Sequence, residues 1–255
     1  MRNYLRGAWI AIFAAFSWVA TANDNLHYLG IAYDAHGGQK LYLEEHFVFD
    51  QNDQRTRLVL YRCPSGQPFA RKWVRDVSSA SAPDFDLIDA RTGYREGVSG
   101  PPGARKVYVQ ENDHSPMRSA PLDMPVNAVI DAGFDAYVRE HFDSLDPQVR
   151  LAFLVPSRLG YLGLRLADTS SDAGTRRIRL SLDAWYSFAA PSIDLIYDTA
   201  DRRLMQFKGI SNIHDANGGS QTVRIEFPAS AEQPAPTVQD IRQAADLPLV
   251  NRCPP

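Results

Sequence analysis

The chain has 255 residues, enough to bury the core of one large domain. Its 27 basic and 30 acidic residues give a formal net charge of −3. A mildly acidic composition with both signs mixed excludes an extended basic surface of the kind that binds nucleic acid or anionic lipid head groups.

The N-terminus has the three parts of a secretory signal peptide. Arg2 and Arg6 precede an apolar run over residues 8–19, and the small residues Ala-Thr-Ala follow at positions 20–22. A signal peptidase cleaves after such an Ala-x-Ala sequence, and the apolar run is shorter than the roughly 20 residues that a membrane-spanning helix needs. We therefore expect cleavage after Ala22 rather than retention as an anchor. The mature protein is expected to have no membrane span and to be periplasmic or secreted.

Short stretches in which apolar and polar residues alternate, separated by turn residues, predict antiparallel strands along most of the chain. A first set precedes residue 111 and a second set follows residue 148. The predicted strands cover 26–33, 41–49, 57–62, 69–77, 84–89, 94–98, 106–110, 149–155, 161–167, 176–187, 193–197, 203–207 and 222–227.

Two helices complete the predicted elements. Residues 123–145 carry apolar and aromatic side chains at helical spacing, and Pro147 stops propagation of the helix. We predict one long amphipathic helix there. A Pro- and Ala-rich segment, 228–236, precedes a short C-terminal helix, whose start is indicated by the variant capping box of Thr237 and Asp240.

The two cysteines, Cys63 and Cys253, both lie in the expected mature chain. Two thiols in an oxidising compartment favour one disulfide, and the chain has no Cys-x-x-Cys pair that would indicate a redox role. We expect the disulfide to fasten the C-terminal tail to the turn that begins at Cys63.

The predicted helix must bury its aromatic stripe, and one face of the sheet is the apolar surface available to it. The connections are too short for parallel crossovers. We therefore predict a mainly β, α+β fold, in which a strongly curved antiparallel sheet, a half-barrel or open barrel, wraps around the long helix. The predicted organisation is a signal peptide over 1–22, a single mainly-β domain over 23–228, and a linker, short helix and tail over 229–255.

One hairpin carries a resemblance to known proteins. A strand ends in Tyr197-Asp198, and Gly-Ile-Ser-Asn follows at positions 209–212. In this hairpin and in the order of its elements, the chain resembles uncharacterised proteobacterial exported proteins of unknown function. It is also similar to periplasmic lipoprotein carriers, in which an antiparallel half-barrel holds helices in its mouth. The resemblance implies the half-barrel fold, and no functional residue is carried over from it.

Glu45 is the most unusual polar residue of the predicted strands, because it shares one face of its strand with four apolar side chains, including Phe47. A carboxylate there is costly unless it is paired or protonated. Three interpretations stay open. Glu45 is a polar anchor or general acid in a ligand cavity, it forms an ion pair with an arginine such as Arg57, Arg165 or Arg177, or a β-bulge turns it outward.

The sequence contains no recognisable catalytic or metal-binding motif. On the opposite face of the same strand, Glu44 and His46 have no third carboxylate or imidazole beside them to complete a metal site. No His-x-His or His-Glu-x-x-His sequence accompanies them. No serine lies in a Gly-x-Ser-x-Gly sequence. We therefore expect no metal, no cofactor and no catalytic residue.

The sequence leaves two interpretations of the aromatic side chains open: they line an apolar cavity, or they fill an ordinary core. Export, the absence of a catalytic motif and the aromatic helix favour a non-enzymatic protein that shelters a lipid, an acyl chain or another apolar small molecule. The alternatives are an envelope scaffold or assembly factor that contacts another protein, and a hydrolase or isomerase centred on Glu45. The residues predicted to contact the ligand are Glu45, Phe47, Phe134, Tyr137 and Trp185.

Overall fold

The computed structural model describes residues 25–77, 79–146, 149–172, 174–184 and 192–254. Within these ranges, sixteen strands form one large, curved and unclosed sheet. The strands are β1 Leu26–Asp34, β2 Lys40–Gln51, β3 Gln54–Arg62, β4 Pro68–Arg75, β5 Asp84–Asp89, β6 Tyr94–Ser99, β7 Lys106–Gln110, β8 Arg118–Pro121, β9 Ala128–Val129, β10 Arg150–Val155, β11 Gly160–Asp172, β12 Thr175–Leu182, β13 Ile193–Asp198, β14 Leu204–Ile210, β15 Thr222–Glu226 and β16 Glu232–Gln233.

The sheet consists of two antiparallel meanders that are joined side by side. β1–β8 pair in chain order, β10–β15 do the same, and β1 pairs with β15 at the junction, where Ile31 lies opposite Glu226. β9 pairs in parallel with β10. The curvature brings the two ends of the sheet close together. Arg118 of β8 donates to the carbonyl of Ser157, just after β10, at 3.1 Å. The mainly β, curved and antiparallel architecture predicted from the sequence is therefore confirmed.

The long helix predicted over 123–145 is wrong in its length. The structure has a helix, α1, only over Gly133–Glu140, and Ala128–Val129 forms β9 instead. Asn127 and Asp131 adopt left-handed backbone conformations, with φ of 61° and 50°, and residues in this conformation cannot continue a right-handed helix. The aromatic side chains of the predicted stripe nevertheless remain together in the fold.

α1 and the turn that follows it pack aromatic side chains against one face of the second meander. Phe134, Tyr137 and Phe142 form a cluster with leucine and isoleucine side chains of β10–β13, including Leu164 and Leu180. This face lines the interior of the curved sheet and is called the inner face below.

The second helix, α2, spans Val238–Asp246 and starts with the capping box that the sequence predicted. The backbone amide of Asp240 donates to Thr237 Oγ1 at 3.2 Å, and the amide of Thr237 donates to Asp240 Oδ2 at 2.8 Å. Ile241 and Ala244 of α2 pack with phenylalanine and leucine side chains of β2 and β3. α2 therefore covers the outer face of the first meander.

The predicted disulfide between Cys63 and Cys253 is confirmed, with the two Cα atoms 5.5 Å apart. Beside it, the amide of Val250 donates to the carbonyl of Pro68 at 2.9 Å, and Arg71 donates to the carbonyl of Leu247. The C-terminal tail is thus fastened by the disulfide to the turn between β3 and β4, and by hydrogen bonds to β4.

Candidate ligand-binding site

The curved sheet and α1 surround a cavity of about 850 Å³. Small-molecule sites commonly have volumes of about 300–1,000 Å³, so this space is large enough for one drug-sized or lipid-like molecule. A large part of its wall is apolar. The apolar lining includes Phe134, Phe153, Leu164, Leu180, Phe207 and Phe227.

The face of β2 that lines the cavity is the more polar of its two faces in the sequence. Glu44, His46 and Val48 line the cavity. Glu45 and Phe47 alternate with them and therefore lie on the outer face, where Phe47 packs in the cluster beneath α2. The structure does not bring Glu45 and Phe47 to the cavity.

Glu45 is held by two side chains of the outer face. Its Oε2 atom accepts from Arg62 Nε at 2.7 Å, and its Oε1 atom lies 3.0 Å from His27 Nε2. Each carboxylate oxygen thus has a partner, as the ion-pair interpretation required. The arginine is Arg62 of the neighbouring strand β3, which the sequence did not single out.

The remaining predicted contact residues lie in different places. Phe134 lines the cavity. Tyr137 does not line the cavity. It is buried one helical turn after Phe134 in α1, and its ring stacks on His141 with 4.3 Å between the ring centroids. Trp185 lies outside the described residues.

The polar part of the cavity wall begins with a buried pair on β2. Glu44 and His46 are 7% and 6% exposed, and His46 Nε2 lies 3.0 Å from Glu44 Oε2. Burial lowers the pKa of His46 and outweighs the hydrogen bond to Glu44, so the imidazole is neutral near pH 7. Its Nε2–H donates to Glu44 in this form, which leaves Nδ1 as an acceptor. The ring of Tyr28 stacks on His46 with 4.6 Å between centroids.

A second buried pair joins β4 to the segment before α1. Lys72 Nζ donates to both carboxylate oxygens of Asp131 at 2.9 Å, and Asn212 Nδ2 donates to Asp131 Oδ1 at 3.1 Å. Burial acts to raise the pKa of Asp131, but the charge and hydrogen bonds of Lys72 outweigh it, and the net pKa is lowered. Asp131 and Lys72 therefore form a charged pair inside the fold.

Glu96 of β6 is the third carboxylate of this wall. It is 5% exposed and accepts a hydrogen bond of 2.7 Å from the hydroxyl of Tyr94. Burial raises the pKa of Glu96 from 4.5 to about 7, against the opposing effect of the Tyr94 hydrogen bond. Near neutral pH this carboxyl is therefore partly protonated.

The raised pKa of Glu96 predicts a pH dependence of stability. Between pH 4.5 and pH 7 the unfolded chain loses the Glu96 proton while the folded chain keeps it, so the free energy of unfolding falls as the pH rises. A shift of this size corresponds to about 3 kcal/mol. We expect Glu96→Gln to remove this decline when urea unfolding is measured from pH 4.5 to pH 8. His46, whose pKa is lowered, contributes the opposite pH dependence, but equally in both proteins. Parallel plots of unfolding free energy against pH for the wild type and Glu96→Gln would therefore contradict the raised pKa of Glu96.

Comparisons with known proteins give a structural similarity but no family match. No known protein family matches it, and no curated protein matches it. Among solved structures, it is similar to a beta-barrel-like protein of the domain of unknown function DUF1849 from Brucella abortus. The two chains share 6% sequence identity with a TM-score of 0.45, over 80% of this chain and 98% of that chain.

The described part of the chain has neither a metal-binding cluster nor a membrane-spanning helix. Those residues contain no group of three or more His, Cys, Asp or Glu side chains arranged to hold a metal ion. None of the helices in the same ranges is long and apolar enough to cross a membrane.

Proposed function

We propose that the protein is an exported, non-enzymatic binding protein of the periplasm, which shelters an apolar or amphiphilic ligand such as a lipid or an acyl chain. The observation that carries this proposal is the cavity of about 850 Å³ between the sheet and α1. Its wall combines a large apolar area with a smaller group of charged and polar side chains, an arrangement that suits a molecule with an apolar chain and a polar end.

The apolar part of the wall supplies the affinity. Each methylene group that leaves water contributes about 0.8 kcal/mol, so an acyl chain against Leu164, Leu180 and Phe207 gains several kcal/mol without any hydrogen bond. The polar group of Glu44, His46 and Lys72 is buried at another part of the same wall. It is positioned to orient the ligand rather than to hold its chain.

The disulfide supports the proposed location. Disulfides form and persist in oxidising compartments, and Cys63 and Cys253 are bonded in the structure. The signal-peptide pattern at the N-terminus indicates the same route. An exported protein with an apolar cavity is suited to carry or store a molecule that is poorly soluble in the aqueous envelope.

A substitution that fills the cavity tests the proposal. Ala136 of α1 lines the cavity, whereas Ala104 is exposed in a turn away from it. We expect Ala136→Trp to weaken the binding of a fluorescent fatty acid at least about tenfold, because the indole takes the space of the chain. Ala104→Trp is the matched control and should bind as the wild type does. Equal binding by both variants, with melting temperatures unchanged, would contradict the proposal.

A further inference from the structure

One cation of the cavity wall has an unmet hydrogen-bond donor among the described residues. Arg57 of β3 faces the cavity, and its cross-strand neighbours are two apolar residues, Val48 and Val74. Its Nε atom is buried, and the described residues offer it no hydrogen-bond acceptor. Buried polar groups in folded proteins are nearly always hydrogen-bonded, so an unmet donor on a charged side chain indicates a binding position.

Two unmet acceptors accompany this donor. Asp135 of α1 pairs through Oδ2 with Arg139 at 3.1 Å, and its buried Oδ1 atom makes no hydrogen bond within the described chain, although the buried Tyr197 hydroxyl interacts with this carboxylate. His46 Nδ1 is buried without a partner among the same residues, and the neutral ring makes it an acceptor. Both residues line the cavity.

The three groups belong to one region of the wall. Burial acts to lower the pKa of Arg57, but Tyr28, Asp135, Asp131 and Asp76 outweigh burial and raise this pKa, so the guanidinium is charged and interacts with several acidic groups. Arg57 also acts electrostatically on His46, on which Tyr28 stacks. A ligand head group that reaches Arg57 therefore meets Asp135 and His46 as well.

The unmet groups define the chemistry of that head group. A simple carboxylate satisfies Arg57 but is repelled by Asp135 and gives no donor to Asp135 or His46. A neutral alcohol can donate but offers no anionic oxygen to the unmet Nε–H donor of Arg57. A zwitterionic head with an anionic oxygen and N–H donors meets all three groups and leaves the charge of the site unchanged.

We propose that the ligand is a single-chain zwitterionic amphiphile, whose anionic oxygen accepts from Arg57 and whose ammonium group donates to Asp135 Oδ1 and His46 Nδ1. This inference rests on the proposed function, because the acyl chain occupies the same cavity. It adds the class of head group and the residues that recognise it.

Three probes with the same acyl chain test it below their critical micelle concentrations. Lysophosphatidylethanolamine has the phosphate and the N–H donors, lysophosphatidylcholine has the phosphate without these donors, and monoacylglycerol is uncharged. We expect lysophosphatidylethanolamine to bind about tenfold more tightly than lysophosphatidylcholine in titration calorimetry, since hydrogen bonds to charged groups are worth more than neutral ones.

Two variants assign the effect to residues. Asp135→Asn should reduce the difference between the two phospholipids, because it removes the carboxylate charge while His46 Nδ1 still accepts from the ammonium group. Arg57→Gln should weaken the binding of both phospholipids about tenfold and that of monoacylglycerol by much less. If Arg57→Gln melts early, Arg57→Lys, which keeps the charge but not the guanidinium geometry, should also weaken the binding of both phospholipids relative to the wild type. Arg95→Gln is the matched control, because Arg95 pairs with Asp86 at 2.9 Å and does not line the cavity.

The outcomes separate the two proposals. Equal binding of the two phospholipids by the wild type, or an undiminished difference in Asp135→Asn, would overturn the head-group assignment while the cavity remains a binding site. If none of the three probes binds, including the neutral monoacylglycerol, the proposed function itself fails.

Discussion

Loss of the disulfide through the double substitution Cys63→Ser and Cys253→Ser is expected to cause the largest decrease in stability. The bond closes a loop with a sequence separation of 190, so its removal restores much conformational entropy to the unfolded chain. The upper limit on this basis is about 5 kcal/mol in the free energy of unfolding. Urea unfolding of the variant and the oxidised wild type measures the difference.

The same variant should loosen the C-terminal tail before the sheet unfolds. The hydrogen bond from Val250 to Pro68 lies beside the disulfide, and α2, which packs through Ile241, belongs to the same C-terminal segment. We expect faster amide hydrogen exchange over α2 than in the wild type, and similar exchange in the strands β11–β13. Wild type treated with a reductant is the control and should behave as the variant does. An unchanged unfolding midpoint would contradict a stabilising role for the disulfide.

Lys72→Met is expected to have the second-largest effect. It leaves Asp131 as an uncompensated buried charge, and loss of one partner of a buried ion pair costs about 3–5 kcal/mol. Urea unfolding at pH 7 measures this loss. Because Asp131 becomes protonated as the pH falls, the deficit of the variant should shrink under acidic conditions.

Two further variants test whether the effect belongs to the pair. Lys72→Met combined with Asp131→Asn removes both charges and should recover a substantial part of the lost stability. Arg95→Gln breaks an ion pair with Asp86 in which the Arg95 side chain is 42% exposed, and it should cost no more than about 1 kcal/mol. If the single Lys72 variant is no less stable than the Arg95 variant, the pair does not contribute as described.

The strands and the C-terminal helix could be predicted because their signals are local. Alternation of apolar and polar residues marked β2 and its neighbours, and Thr237 and Asp240 marked the start of α2. The disulfide followed from the number of cysteines and the expected compartment. The length of α1 could not be predicted by spacing alone. Asn127 and Asp131 carry left-handed backbone conformations that periodicity does not reveal.

The polar part of the cavity could not be predicted because β2 is buried on both faces. The face that carries Glu45 and Phe47 is covered by α2, which lies almost 200 residues later in the chain, so an apolar face did not identify the inner one. Burial of Lys72 depends on Asp131, 59 residues away. A polar residue in the strand pattern gives no sign of such a distant partner. The usable signal was the alternation of Glu44 with His46 on one face.

Native mass spectrometry of the protein purified from the cell envelope under mild extraction tests the central claim most directly. We expect a species heavier than the mature polypeptide by the mass of one amphiphile, and we expect Ala136→Trp to lose that species while Ala104→Trp keeps it. A spectrum that contains only the bare polypeptide, even after incubation with lysophosphatidylethanolamine and monoacylglycerol, would contradict a ligand-binding cavity inside this sheet.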